Sequence, residues 1–159
     1  MVPERYKDID PEKTPEVFKK SVDKIKDSFG KGLFIFGGTG TGKTYALYAL
    51  TVKFGMKIRN YSNILERVYN DLNNKYYYLK SISDDKYVVI DDIGTEKHTE
   101  YNQDILYTLI NDVYMAKKRL FISTNLTPEE FEEKYGERIF SRLCEMCEFV
   151  EFTGPDKRI

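Results

Sequence analysis

Residues 37–44 read Gly37-Gly38-Thr39-Gly40-Thr41-Gly42-Lys43-Thr44 and directly follow the apolar run Leu33-Phe34-Ile35-Phe36. The spacing G-x-x-x-x-G-K-T between a strand pattern and a helix pattern is that of a phosphate-binding loop. Its glycines let successive backbone N–H groups point inward at phosphate oxygens. Lys43 reaches the β- and γ-phosphates, and the Thr44 hydroxyl is a hard oxygen ligand for Mg²⁺. A chain built around this loop must place a strand, the loop and a helix in sequence, and it must handle a nucleoside triphosphate.

The 159 residues are enough for one globular domain with a sizeable core. With 25 basic against 26 acidic residues the formal charge is −1, so no global field draws the chain to nucleic acid or to an anionic membrane. Contacts of that kind would have to be local. The N-terminus, Met1-Val2-Pro3-Glu4-Arg5, has no signal-like apolar segment, and no run approaches the roughly 20 apolar residues that span a bilayer. A cytoplasmic location without a membrane partner is expected.

Strand and helix signals alternate along the chain, which implies a parallel α/β sheet. After a polar arm over residues 1–13, Thr14 and Pro15 open a helix with the stripe Phe18, Val22, Ile25 and Phe29, closed by Gly30. The strand at Leu33–Phe36 and the loop lead into a helix from about Lys43 that stops at Gly55. A short strand at 57–61 follows, and Ile64, Leu65, Val68 and Leu72 repeat at helical spacing. A tyrosine-rich connection reaches the strand Tyr87–Ile90. Ile105, Leu106, Leu109, Ile110 and Val113 mark another helix, and Leu120–Ser123 another strand. Thr127-Pro128-Glu129-Glu130 has the form of a capping box, Gly136 ends that helix, and a helix over 137–146 precedes the strand Phe149–Phe152. Five strands result.

Two acids, Asp91 and Asp92, end the apolar strand Tyr87–Ile90. Ligands of open α/β sheets bind at the carboxyl ends of the strands. Asp91 is therefore placed to hold Mg²⁺ with Thr44, and Asp92 to orient or deprotonate the water that attacks the γ-phosphate. The strand ending Ser123-Thr124-Asn125 offers a further polar side chain on the same rim. Asn125 either meets the γ-phosphate and the attacking water or simply turns the chain. Arg138 and Arg142 are four apart and share a helical face, as a solvated pair or as an arginine finger. Cys144 and Cys147 lack the partners of a zinc site, since His98 is the one histidine in the sequence. Both are expected as buried free thiols, and His98 as a loop residue.

Together these features resemble the AAA+ ATPases, and within them the DnaC, DnaI and IstB group of helicase loaders and transposition helper proteins. The likeness lies in residues 37–44, in Val89-Ile90-Asp91-Asp92-Ile93-Gly94, in Ser123-Thr124-Asn125-Leu126, in Gly136-Glu137-Arg138 with Ser141-Arg142-Leu143, and in residues 151–158. The resemblance implies a three-layer P-loop sandwich on a five-stranded parallel sheet without a C-terminal helical lid. It implies residues 1–13 as a linker arm and 14–159 as the ATPase domain. It also implies ATP, ADP and Mg²⁺ as ligands. By it, Asn125 looks like the sensor residue and Arg142 like a finger inserted into the site of an adjacent copy, with Arg138 as a helper. Arg158 looks like a C-terminal arginine that senses nucleotide, and Tyr6 like part of a linker near the adenine.

Residues 73–80 fall where this group has an added helical element that contacts single-stranded DNA. There Tyr76 and Tyr77 would stack on bases, and Lys75 and Lys80 would meet phosphates. A replicative helicase or a transposase would be the protein partner. Only 36 residues precede the loop, so no helicase-gripping N-terminal domain is expected. Asp92 is one methylene shorter than the glutamate of strong motors, which implies slow hydrolysis. The expected function is a slowly hydrolysing ATP switch that assembles side by side and binds single-stranded DNA in replication. The alternatives are a transposition helper on duplex DNA, a small P-loop kinase, or a nucleotide-dependent protein adaptor.

Overall fold

A computed structural model describes residues 2–26 and 31–157 of the chain. Five strands form one sheet: β1 (Gly32–Gly37), β2 (Ile58–Asn60), β3 (Tyr87–Ile93), β4 (Arg119–Thr124) and β5 (Cys147–Phe152). All described pairings are parallel, in the order β2-β3-β4-β1-β5. The strand that delivers the phosphate loop therefore lies inside the sheet. Leu33 pairs with Phe121 on one side and with Glu148 on the other.

Parallel strands buried on both faces read as continuous apolar runs, and β1, β3 and β4 do. Their alternate residues feed two cores. Leu33, Ile35, Val89 and Phe121 face α1 (Glu16–Lys26) and α2 (Lys43–Phe54), meeting Phe18, Val22, Leu47 and Leu50. Phe34, Val88, Ile90, Leu120 and Ile122 face the opposite layer. That layer comprises α3 (Tyr61–Asn70), α4 (Lys75–Ser83), α5 (Glu100–Met115), α6 (Pro128–Tyr135) and α7 (Glu137–Met146). Phe34 anchors it, with its ring stacked 4.4 Å from Phe149 and edge-on to Phe131 at 5.1 Å. Three layers result, as the resemblance implied.

Local chemistry sets the boundaries. Thr127 and Glu130 complete the capping box with bonds of 3.2 and 3.0 Å, satisfying backbone donors that the first turn of α6 leaves unpaired. Gly55 closes α2 in a left-handed conformation. Thr14 does not behave as expected: its hydroxyl turns back to donate to the Pro11 carbonyl at 2.7 Å. Phe29 and Gly30 lie outside the described residues.

The structure departs from the sequence reading in three further places. Leu72, expected on the stripe of α3, sits in a short 3-10 turn at 72–74 and is exposed, because Asp71 leaves helical geometry. The tyrosine-rich connection is itself the helix α4, held by buried Leu79 and Ile82. The cysteines also differ from each other. Cys147 opens β5, is buried and donates to the Leu120 carbonyl at 3.4 Å, whereas Cys144 on α7 is exposed. Burial pushes both thiols up, Cys147 far more, so neither favours the reactive thiolate. His98 is an exposed loop residue, as read.

Candidate nucleotide site

The loop leaves β1 through Gly37, whose φ is +149°. A Cβ there would lie 2.1 Å from the Phe152 carbonyl oxygen, so the tight passage between β1 and β5 requires glycine. Gly42, also left-handed, caps the N-terminus of α2. The N-terminal, positive end of the helix dipole thus points toward the loop, the arrangement that favours an anion. Lys43, the first residue of α2, is buried. Its ammonium donates to the carbonyls of Gly37 at 2.8 Å and Gly38 at 2.7 Å.

Beside the loop lies a concavity of about 610 Å³ lined by Tyr6, Thr39, Gly40, Lys43, Thr44, Asp92, Ser123 and Asn125, among others. Residues 86 positions apart in sequence, Tyr6 and Asp92, thus border one space, as do the carboxyl ends of β3 and β4. Tyr6 stacks face to face on Tyr48 of α2, with centroids 4.4 Å apart, which fixes its ring at one end of the concavity. Asn125 lines this space and also a smaller one behind the loop, shared with Gly37, Gly38 and Thr127.

Asp91 lies beneath the concavity, 7 % exposed. Both of its oxygens are 3.1 Å from the Thr44 hydroxyl. Burial is the main cause that raises its carboxyl above the usual range, and the charge of Asp92 adds to this; hydrogen bonds from Ser123 and Thr44, and the charge of Lys43, act the other way. A buried carboxylate and a hydroxyl side by side, both hard oxygen donors, suit Mg²⁺.

Asp92 is reoriented by a break in the β3–β4 ladder. Register is regular to Ile90↔Ile122 and resumes at Ile93↔Thr124, and between them Asp92 adopts φ +62°. Aspartate tolerates this left-handed conformation better than most residues, yet it persists only where neighbours impose it. The Ser123 hydroxyl does so, accepting from the Asp92 N–H at 2.8 Å. The irregularity turns consecutive acids to different surroundings, with Asp91 buried under Thr44 and Asp92 in the wall of the concavity.

Sequence reasoning missed Ser123, although its place at the end of an apolar strand opposite the two acids was the available signal. It also missed the way residues 153–157 fold back. The Lys157 N–H donates to the Gly40 carbonyl at 2.8 Å, and a Cβ on Gly40 would fall 1.7 Å from an Asp156 carboxylate oxygen. Lys157 lines the concavity in the region expected for Arg158, which lies outside the described residues.

Arg142 stands apart from this space. It sits on α7 with its guanidinium 5.4 Å from the Tyr107 ring and 5.3 Å from the Tyr114 ring of α5, and it donates to the Arg138 carbonyl at 3.2 Å. Its Nε is buried without a hydrogen-bond partner among the described residues. Arg138 donates to the Tyr107 hydroxyl at 2.8 Å. On α4, Tyr76 and Tyr77 are 65 % and 83 % exposed and Lys80 is exposed, whereas Lys75 is partly committed, donating to the Tyr101 hydroxyl at 3.2 Å.

Residues 17–147 match the family model described as the bacterial DnaA ATPase domain. The chain is 24 % identical over 151 residues to the replicative helicase loader DnaI of Bacillus subtilis, an alignment covering 81 % of this chain and 48 % of that protein. The curated relatives it matches are longer, and it spans between a quarter and about half of their length. Among solved structures, its fold is similar to that of the DnaC helicase loader, with a TM-score of 0.77 at 20 % identity over 94 % of this chain and 99 % of that one. It is also similar to that of the replication initiator DnaA bound to AMPPCP and single-stranded DNA, with a TM-score of 0.70 at 21 % identity over 89 % of this chain and 46 % of that one.

Proposed function

From the premise that this chain belongs to the bacterial DnaA ATPase-domain family, with the P-loop AAA+ fold, we propose that it is an ATP-dependent switch acting in replication in the manner of a helicase loader. The observation that carries the reading is the meeting of Lys43, Thr44, Asp92 and Asn125 around one concavity, with Asp91 bonded to Thr44 beneath it. Each side chain suits a part of phosphoryl transfer. The loop N–H groups and the α2 N-terminus bind the phosphates. Lys43 exchanges its loop carbonyls for β- and γ-phosphate oxygens, a change of partner without a change of charge.

Thr44 and Asp91 are the residues that would hold Mg²⁺, which supplies charge neutralisation on the β- and γ-oxygens when bound. Asp92 positions and deprotonates the attacking water, and Asn125 orients it. The short reach of Asp92 makes hydrolysis slow. Tyr6, stacked on Tyr48, covers the base. Residues 1–13 serve as a linker arm to the ATPase unit at 14–159.

Arg142 does not border its own chain's concavity, so it acts across a contact with a neighbouring copy, and Arg138 assists. The exposed faces of Tyr76 and Tyr77, with Lys80 and Lys75 beside them, bind single-stranded DNA by stacking and by phosphate contact. The DnaA structure with bound single-stranded DNA supports a DNA contact, and the DnaI relative, a replicative helicase loader, supports a replicative helicase as the protein partner.

The test is phosphate release from ATP over a range of protein concentrations, with and without single-stranded DNA, beside an Arg142→Ala variant. Turnover per chain that rises with concentration and with DNA, and falls in the variant, supports the assembling switch. Flat turnover indifferent to both would overturn it in favour of a kinase or an adaptor.

A further inference from the structure

Tyr87 and Arg119 open β3 and β4 at the amino end of the sheet, opposite the end that carries the phosphate loop. Beside them lies a groove of about 410 Å³ that the nucleotide reading leaves unused. Its floor is hydrocarbon, with Leu50 and Phe54 from α2, Met56 and Phe121. Phe54 is 39 % exposed, a large apolar side chain open to solvent at the groove.

The rim is cationic. Lys26, Lys86, Lys117, Lys118 and Arg119 line it, and no aspartate or glutamate does so among the described residues. Arg119 is fixed in the wall, donating to the Ile25 carbonyl at 3.1 Å. The four lysines join no ion pair among the described residues, whereas elsewhere Lys24 pairs with Glu148 and Arg59 with Asp85. In a chain of formal charge −1, this is a local excess of one sign around an apolar concavity. Such a patch attracts an anionic ligand and repels itself when empty.

We propose that this groove docks an acidic segment of a partner protein that carries one aromatic or large aliphatic side chain among its Asp and Glu residues. The apolar side chain enters between Phe54, Met56 and Phe121, and the flanking carboxylates meet Lys86, Lys117 and Lys118. This is the division of labour of a desolvated anchor with a charged rim. A peptide suits the groove better than nucleic acid does, because much of its apolar lining is aliphatic, from Val22, Ile25, Leu50 and Met56, which gives bases little to stack on. The docking needs no nucleotide and stands apart from the ATPase reading.

The experiment is fluorescence anisotropy of a labelled peptide in which aspartates flank a single phenylalanine, titrated with the whole chain. Binding should saturate, weaken with added salt, and weaken at least about tenfold when the peptide's phenylalanine becomes alanine at constant charge. A K86E/K118E variant should lose about tenfold or more, and Phe54→Ser a similar amount, with melting temperatures within a few degrees of the parent. Three results would overturn the proposal: equal affinity for the alanine peptide, no effect of charge reversal, or an oligodeoxythymidine that binds the parent and loses that binding in the same variants.

Discussion

Ser123 on β4 donates its hydroxyl proton to Asp91 on β3 at 2.5 Å. The same oxygen accepts from the Asp92 N–H at 2.8 Å, so one small side chain holds both acids in their separate positions. Ser123→Ala takes the partner from the left-handed Asp92 N–H and leaves the Asp91 carboxylate with the Thr44 hydroxyl alone. Unpaired buried groups of this kind cost about 1 to 3 kcal/mol. The expected outcome is a melting temperature lower by several degrees, together with at least a tenfold loss of single-turnover hydrolysis at little-changed nucleotide affinity, because phosphate binding does not use Ser123. Calorimetry and rapid quench check the two halves, and unaltered hydrolysis would show that Asp92 keeps its aim unaided.

Asp91 makes stability depend on pH in a direction that follows from its burial. Its folded carboxyl lies above the ordinary value of 3.8, so the folded state holds the proton more tightly than the unfolded state. The proton therefore favours folding below about pH 4, and that contribution is lost as the pH rises through the elevated folded value. Asp91→Asn removes the ionised form while keeping an oxygen that accepts from Ser123. It should melt a few degrees higher than the parent at neutral pH, with the gap closing as the pH is lowered toward about 4. A gap that stays constant with pH would place the effect elsewhere. The same variant should lose Mg²⁺-dependent turnover.

Neighbouring glycines in the loop should respond differently to alanine. Gly37 is left-handed, and its Cβ would meet the backbone oxygen of Phe152 at 2.1 Å, an atom that cannot move without opening the β1–β5 pairing. Gly38 has only Thr41 Cγ2 at 3.9 Å in its way. Gly37→Ala should cost several kcal/mol, and Gly38→Ala about 1 kcal/mol or less in thermal melts. Similar losses in both would mean that loop entropy, and not the close approach, sets the requirement.

Much of the architecture was legible because its signals are local. The loop, the apolar runs of β1, β3 and β4, and the Thr127 capping box each announce themselves within a few residues, and their order implies the parallel sheet. Two kinds of feature were not legible. The helix at Lys75–Ser83 lacks a clear period because Tyr76 and Tyr77 point to solvent, while Tyr78, Leu79 and Ile82 hold it to the core. The left-handed turn at Asp92 and the packing of Asp156 on Gly40 depend on partners at distances of 31 and 116 positions along the chain, which no window reveals. The same holds for the groove below the sheet, whose lysines are scattered over Lys26, Lys86 and Lys118.

Arg142 is held by two aromatic rings of its own chain. Its guanidinium lies 5.4 Å from the Tyr107 ring and 5.3 Å from the Tyr114 ring, and Tyr114 in turn donates to Glu145 at 2.8 Å. Cation–π contacts of this type are worth about 0.5 to 2 kcal/mol each and restrict a side chain that is otherwise rich in rotamers. If Arg142 completes the site of an adjacent copy, the cradle supplies it pre-oriented, and less entropy is lost on assembly. Tyr107→Leu should then shift the rise of turnover with protein concentration to concentrations several-fold higher, while Tyr107→Phe, which keeps the ring and loses the hydroxyl bonded to Arg138, should stay close to the parent. The tyrosine's contribution separates from general destabilisation because Phe and Leu both fill the space, so their melting temperatures should agree more closely than their assembly curves. Parallel losses in melting temperature and in assembly would reduce Tyr107 to a packing residue of α5.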